Sequence, residues 1–105
     1  MANTQEGTEK MYRQGDVLFV KVEAIPAGLH ERPSKIVVEG EVTGHAHRLV
    51  DGRILEAAQG VLFLEVLTNT QVVHEEHHAI PLEPGYWQVI RQREYSPKEI
   101  RLVLD

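Results

Sequence analysis

The chain has no cysteine, which excludes disulfide bonds and metal sites built from thiolates. It also has no apolar run near the roughly 18 residues that a membrane-spanning helix needs. Residues 1–10 are polar and lack the apolar stretch of a signal peptide, so we expect them to form a disordered leader. Together these absences predict a cytoplasmic protein without a membrane partner.

Positive charge is also scarce. The formal net charge is −5, from 11 Lys and Arg against 16 Asp and Glu. Domains that bind nucleic acid usually present a basic surface, so we do not expect nucleic acid as a partner. A chain of 105 residues, 42% of them hydrophobic, can bury a core of its own. We therefore predict a single domain over residues 11–105.

Short apolar and β-branched runs, separated by frequent turn residues, indicate strands. Residues 24–34 carry Pro26, Gly28 and Pro33 and are predicted to form a loop. The segment 96–99 predicts one tight turn before a short final strand. The remaining predicted strands are 17–23, 35–42, 45–50, 53–57, 61–66, 71–75, 79–82 and 86–95.

This spacing of elements predicts an all-β fold. Seven to nine short strands in one small domain favour a β-barrel or a barrel-like sandwich. Short open sheets also leave edges to cover, which favours a homo-oligomer.

The dipeptide Asp51-Gly52 lies between two predicted strands, a pattern typical of a type I′ hairpin. A two-residue loop would place His47 directly opposite Glu56. Because side chains alternate between the faces of a strand, both would share one face, which we expect to lie inside. That face carries His45, His47, Leu49, Ile54, Glu56 and Ala58.

Histidine is the residue in excess: five of the 6 histidines fall in the segments 45–47 and 74–78. Directly opposed side chains have Cβ atoms roughly 4.5–5.5 Å apart, close enough for imidazoles and a carboxylate to share a metal ion. A metal would also offset the cost of burying such polar groups. The metal-free interpretations are a His–Glu salt link at a barrel mouth and a solvated, mixed-charge loop.

The second histidine segment allows two geometries. On a regular strand, His74 and His78 would share a face. A bend at residues 75–76 would instead bring His74 and His77 together. Residues 74–78 also match His-Glu-x-x-His, but that zinc-protease motif needs a helix, for which Val73 before it and Pro81 after it leave little room. His30 lies in the predicted loop, where we expect it to be solvated.

Residues 40–47 resemble the start of the first cupin motif, a glycine followed by His-x-His. This resemblance implies a β-barrel that holds a divalent metal through histidines and a glutamate. Glu56 lies further from His47 than the motif expects, and the second cupin motif is not matched.

A broader resemblance covers residues 12–105. It links the chain to a family of small, uncharacterised proteins of bacteria and phages, and so implies no activity. Its histidines match at 45, 47, 74 and 77, with His78 an addition, which favours His77 over His78 as a ligand. The segments that carry it are Tyr12-Arg13-Gln14-Gly15-Asp16-Val17, Gly44-His45-Ala46-His47, His74-Glu75-Glu76-His77 and Arg91-Gln92-Arg93-Glu94-Tyr95.

The sequence thus predicts a metal-binding β domain whose process it does not reveal. Nitrogen-rich ligands suit zinc, nickel, iron or copper and disfavour calcium and magnesium. The alternatives are a cupin-like, metal-dependent enzyme and a metal-free binding or assembly module associated with phages. The predicted ligands are His45, His47, His74 and His77, with Glu56 and His78 as further candidates.

Overall fold

The computed structural model describes residues 10–40 and 44–92. The predicted leader and the predicted C-terminal turn and strand lie outside the described residues, apart from Lys10. Within the described ranges the chain forms ten strands and no helix long enough and apolar enough to span a membrane. The predicted all-β class is confirmed. The strands are β1 (Met11–Gln14), β2 (Val17–Val22), β3 (His30–Arg32), β4 (Ile36–Glu39), β5 (Ala46–Leu49), β6 (Arg53–Glu56), β7 (Leu62–Val66), β8 (Thr70–Val73), β9 (Ile80–Leu82) and β10 (Gly85–Arg91).

The strands form two antiparallel sheets. The six-stranded sheet has the order β1-β2-β10-β7-β6-β3, and the four-stranded sheet has the order β9-β8-β5-β4. In the larger sheet β10 pairs along its length with β2 on one side and β7 on the other. In the smaller sheet β5 lies between β4 and β8.

Apolar side chains from both sheets form one core. Trp87 of β10 is the largest fully buried side chain of the core. Its indole Nε1–H donates a hydrogen bond to the Glu83 carbonyl at 3.0 Å. Runs of one to three consecutive strands belong to the same sheet before the chain crosses to the other, and the core contains residues of both sheets. The other fully or almost fully buried members include Val17, Phe19, Leu49, Ile54, Leu64, Val72 and Leu82.

Sequence patterning missed the two edge strands of the larger sheet, β1 and β3. Strand β3 interrupts the predicted loop 24–34, and its sequence His-Glu-Arg has no apolar residue to signal a strand. Strand β1 is half polar and pairs only with β2 among the described strands. Edge strands are held by backbone pairing to one neighbour, so they need little of the apolar alternation that sequence patterns detect.

The predicted Asp51-Gly52 hairpin is wrong. Strand β5 pairs with β4 and β8, whereas β6 pairs with β7 and β3, so this turn carries the chain from one sheet to the other. The amide of Val50 donates to the Gln71 carbonyl at 2.9 Å, which extends the β5–β8 pairing up to the turn. Asp51 also lacks the positive φ that a type I′ turn requires at both central residues.

Candidate metal centre

His47 is the most buried histidine of the described chain. It lies in β5 opposite Val38, in the middle of the smaller sheet, and is 6% exposed. Its Nδ1 lies 2.8 Å from Oε1 of Gln14, which is itself almost fully buried at the end of β1. This contact ties the smaller sheet to the edge of the larger one.

The hydrogen bonds of Gln14 determine which nitrogen of His47 carries the proton. The Gln14 Nε2 donates to two carbonyl oxygens, of Val72 at 3.0 Å and of His78 at 2.8 Å. The amide is therefore oriented with Oε1 towards His47, and an oxygen can only accept. His47 must donate through Nδ1–H, which leaves the lone pair on Nε2 available to a metal.

Burial keeps this imidazole neutral. The pKa of His47 is lowered to about 4, mainly by removal of the ring from water and next by the neighbouring His74, although Asp16 acts in the opposite direction. The Nε2 lone pair is therefore unprotonated at neutral pH. A neutral ring with one nitrogen fixed as a donor is the form in which histidine binds metals.

Three further imidazoles lie around His47. The ring centre of His74 is 4.5 Å from that of His47, 4.5 Å from that of His77 and 5.7 Å from that of His45. The rings of His47 and His77 are nearly parallel, with centres 6.2 Å apart. We call His45, His47, His74 and His77 the histidine cluster.

A bend after β8 produces this arrangement. Strand β8 ends at Val73 and the next strand begins at Ile80, so residues 74–79 turn instead of continuing the strand. The bend brings His74 and His77 together, as the second of the two predicted geometries requires. The side chain of His78 is exposed, and its backbone carbonyl accepts the bond from Gln14.

The β1–β2 turn supports the cluster at two points. Gln14 orients His47, and Gly15 packs against His77. A Cβ on Gly15 would lie 2.9 Å from the His77 Nε2, and its φ of 63° also favours glycine. Sequence reasoning did not connect either residue to the histidines, although both lie in the first segment of the family resemblance.

Glu75 forms a second, more exposed group with two of the histidines. Donor atoms of His45, His74 and Glu75 all lie within 4.8 Å of one another. The Glu75 oxygens are both engaged, one by the Ala46 amide at 2.9 Å and one by the Arg48 guanidinium at 2.7 Å. The Arg48 bond is the main reason that the pKa of Glu75 is lowered to about 2. Because both oxygens have partners, we regard Glu75 as an anchor for β5 and the imidazoles as the better ligands.

His74 belongs to both groups and is less ready to bind than His47. Its pKa is lowered by burial and then by the neighbouring His77. Its Nδ1 accepts a hydrogen bond from the Glu76 amide at 3.0 Å, so the neutral ring carries its proton on Nε2. A metal at either nitrogen therefore requires His74 to give up that hydrogen bond.

Glu56, the predicted carboxylate partner of His47, lies elsewhere. It is in β6 of the larger sheet, where its residue partners are His30 and Leu62. Its carboxylate lies 4.0 Å from the Arg32 Nε. The predicted opposition of His47 and Glu56 is wrong because it depended on the Asp51-Gly52 hairpin.

Neither a curated protein nor a solved structure matches the chain. A family model described as a domain of unknown function, DUF8820, matches residues 13–92. The match contains every strand from β2 to β10, the whole histidine cluster, and both Gln14 and Gly15. The expected membership of an uncharacterised family is thereby confirmed. The chain belongs to this family of domains of unknown function.

Proposed function

We propose that the histidine cluster binds one divalent transition-metal ion. The observation that carries this proposal is the buried, neutral His47. Its Nδ1–H donates to Gln14, so the lone pair of Nε2, on the other side of the ring, is available to a metal. Fixing the second nitrogen of a ligand histidine in this way is the usual support for metal-bound imidazole.

The spacing of the rings supports the same proposal. When a metal binds Nε2 at about 2.0–2.1 Å, the ring centre lies roughly 3 Å from the ion, so rings around a tetrahedral ion have centres about 5 Å apart. The observed separations of 4.5, 5.7 and 6.2 Å span that value. Among the described residues the donor atoms that already lie within 4.8 Å of one another are those of His45, His74 and Glu75, so binding by all four histidines requires side-chain rotations.

The chemistry of the donors limits the choice of ion. Neutral imidazoles without thiolates favour zinc, nickel, copper or iron(II) over calcium and magnesium, which prefer oxygen ligands. His47 is the buried member of the proposed site, His74 is partly buried and His77 is exposed. His45 is the fourth ligand, and Glu75 holds the start of β5 beside it through the Ala46 amide.

We also propose that the two sheets face each other in a barrel-like sandwich. Residues of both sheets share one core, as expected when two sheets face each other. In such a domain the cluster would lie where the β1–β2 turn of one sheet meets β5 and β8 of the other.

Elemental analysis of the untagged chain tests the proposal. We expect about one equivalent of zinc or another transition metal per chain, either as purified or after addition of metal and desalting. His74→Gln should lose the metal, whereas the matched variant His78→Gln, in the same bend, should retain it. A metal content near zero in the untagged wild type would contradict the proposal and favour a metal-free binding module.

A further inference from the structure

The possible metal ligands of this chain differ in how open they are to solvent. His47 is 6% exposed, whereas His45 and His74 are partly buried and Glu75 is exposed. We call His45, His74 and Glu75 the outer group. His77 is also exposed, but the group of three close donors found among the described residues does not include it. An ion that arrives from solvent therefore meets the outer group before it reaches His47.

The donor atoms of the outer group are already close together, since they all lie within 4.8 Å of one another. Ligand atoms around a tetrahedral zinc ion, each about 2.0–2.2 Å from the metal, lie roughly 3.5 Å apart. Small side-chain movements would therefore bring all three donors onto one ion. Two imidazoles and one carboxylate also form a ligand set that zinc uses in open sites, where water fills the fourth position.

Glu75 has lone pairs with which to bind an ion. Its two oxygens accept hydrogen bonds from the Ala46 amide at 2.9 Å and from the Arg48 guanidinium at 2.7 Å. An ionised carboxylate offers about four lone-pair positions, so each oxygen can accept a further partner. Carboxylates that bind metals are themselves usually hydrogen-bonded, because such bonds orient the oxygen atoms. The two partners therefore hold the Glu75 carboxylate in place without excluding a metal ion from it.

The outer group shares two ligands with the histidine cluster. His45 and His74 belong to both, and the ring centre of His74 lies 4.5 Å from that of His47. Transfer of an ion into the cluster exchanges the Glu75 carboxylate for the imidazoles of His47 and His77, while the two shared ligands stay bound. Imidazole suits zinc, nickel and copper, so this exchange favours the histidine cluster as the final position.

We propose that the outer group captures the incoming metal ion and passes it to His47, so that Glu75 is a ligand of the entry step and not of the final site. This inference rests on the proposed metal binding and adds the route by which the ion enters. A ligand that acts only on the route lowers the same barrier in both directions. Its loss should slow binding and release by the same factor and leave their ratio, the dissociation constant, unchanged.

Stopped-flow mixing of the untagged full chain with cobalt(II) tests this route, because the visible absorption of cobalt reports the formation of a tetrahedral site. We expect Glu75→Gln to slow association by about tenfold or more, as the loss of a carboxylate at a metal site typically does. Release of cobalt into excess chelator should slow by the same factor. Unchanged rates, or a faster release with a raised dissociation constant, would overturn the inference, the latter because it would make Glu75 a permanent ligand.

Glu76→Gln is the matched control for charge. The Glu76 carboxylate lies 3.5 Å from the His45 Nδ1, yet Glu76 is outside the outer group. In about 0.15 M salt, where exposed charges are screened, this variant should change the association rate by no more than about twofold. Equal slowing by Glu75→Gln and Glu76→Gln would overturn the inference, because it would reduce the effect of Glu75 to a general attraction of cations.

Arg48→Gln is the control for loosening of β5. It removes the ion pair of Glu75 but keeps the carboxylate, so it should not slow association. Slowing by Arg48→Gln equal to that by Glu75→Gln would overturn the inference, since the anchoring of the strand would then explain both. Failure of the wild type to bind cobalt(II) at all would contradict the proposed metal binding itself and, with it, this route.

Discussion

Two strand histidines of this molecule, His47 and His30, differ in what holds the imidazole. In the histidine cluster, His47 is buried and its Nδ1–H is bound by Gln14. At the edge of the larger sheet, His30 of β3 lies opposite Glu56 of β6 and is exposed to solvent. The same residue type is therefore a buried imidazole with one nitrogen fixed as a donor in one place and an exposed surface side chain in the other. Burial and a fixed tautomer make the difference.

The largest expected difference between the two regions is in the metal-dependent stability of variants that lack one imidazole or the other. If a metal binds only the folded chain, it should raise the free energy of unfolding by about 2.7 kcal/mol at a hundredfold excess over its dissociation constant. His47→Ala should abolish this gain, and His30→Ala should leave it intact. Thermal or denaturant unfolding with and without zinc measures the gain directly. Equal gains in both variants would show that the metal binds elsewhere.

Lowering the pH should reduce the free energy of unfolding of the metal-free protein through His47. The pKa of His47 falls from 6.5 in the unfolded chain to about 4 in the folded one. Between these values only the unfolded chain binds the proton, so the contribution of His47 is complete above pH 6.5 and is lost as the pH falls towards 4. At 1.36 kcal/mol per pKa unit the loss is on the order of 2 kcal/mol, after allowance for the exposed neighbouring rings.

Comparison with His47→Ala isolates this acid effect, because the other titrating groups remain. The variant should lose less stability than the wild type between pH 6.5 and 4. Urea unfolding in the presence of a chelator, at several pH values, gives the two curves. Parallel curves would mean that His47 is not held neutral by the fold.

Gln14 provides a smaller and more selective perturbation. Gln14→Met keeps the approximate size of the side chain but leaves the His47 Nδ1–H without its acceptor. The loss of such a partner typically weakens metal binding by about 10–100-fold. Gln71→Met, on the exposed surface of β8, is the matched control and should bind as the wild type does. An unchanged dissociation constant for the metal in a folded Gln14→Met protein would show that Gln14 does not support metal binding.

The smallest expected effect concerns His74, which must change before it binds. Its Nδ1 accepts the Glu76 amide, so metal binding should break that single hydrogen bond, which stabilises by about 1 kcal/mol or less. Saturation with zinc should therefore shift the Glu76 amide resonance and speed its hydrogen exchange. The Leu49 amide, bound to the Lys35 carbonyl at 2.9 Å, is the internal reference. A Glu76 amide that does not respond would place His74 outside the metal site.

The sequence predicted the elements that have strong apolar patterns, such as 17–23 and 61–66, which contain β2 and β7. It did not predict which strands pair, because Asp51-Gly52 has the local form of a hairpin. The pairing of β5 with β4 and β8, and of β6 with β3 and β7, depends on residues distant in the sequence. It identified the histidines from their clustering. It could not identify Gln14 as the partner of His47, because that contact joins positions 33 residues apart.

The central claim is that imidazoles of the histidine cluster ligate one metal ion, and X-ray absorption at the zinc edge tests it most directly. For the zinc-loaded, untagged chain we predict three or four nitrogen ligands at about 2.0–2.1 Å, with the outer-shell scattering of imidazole rings. His47→Ala should reduce that imidazole scattering, and His30→Ala should not. A spectrum with oxygen ligands alone, identical in both variants, would contradict the account.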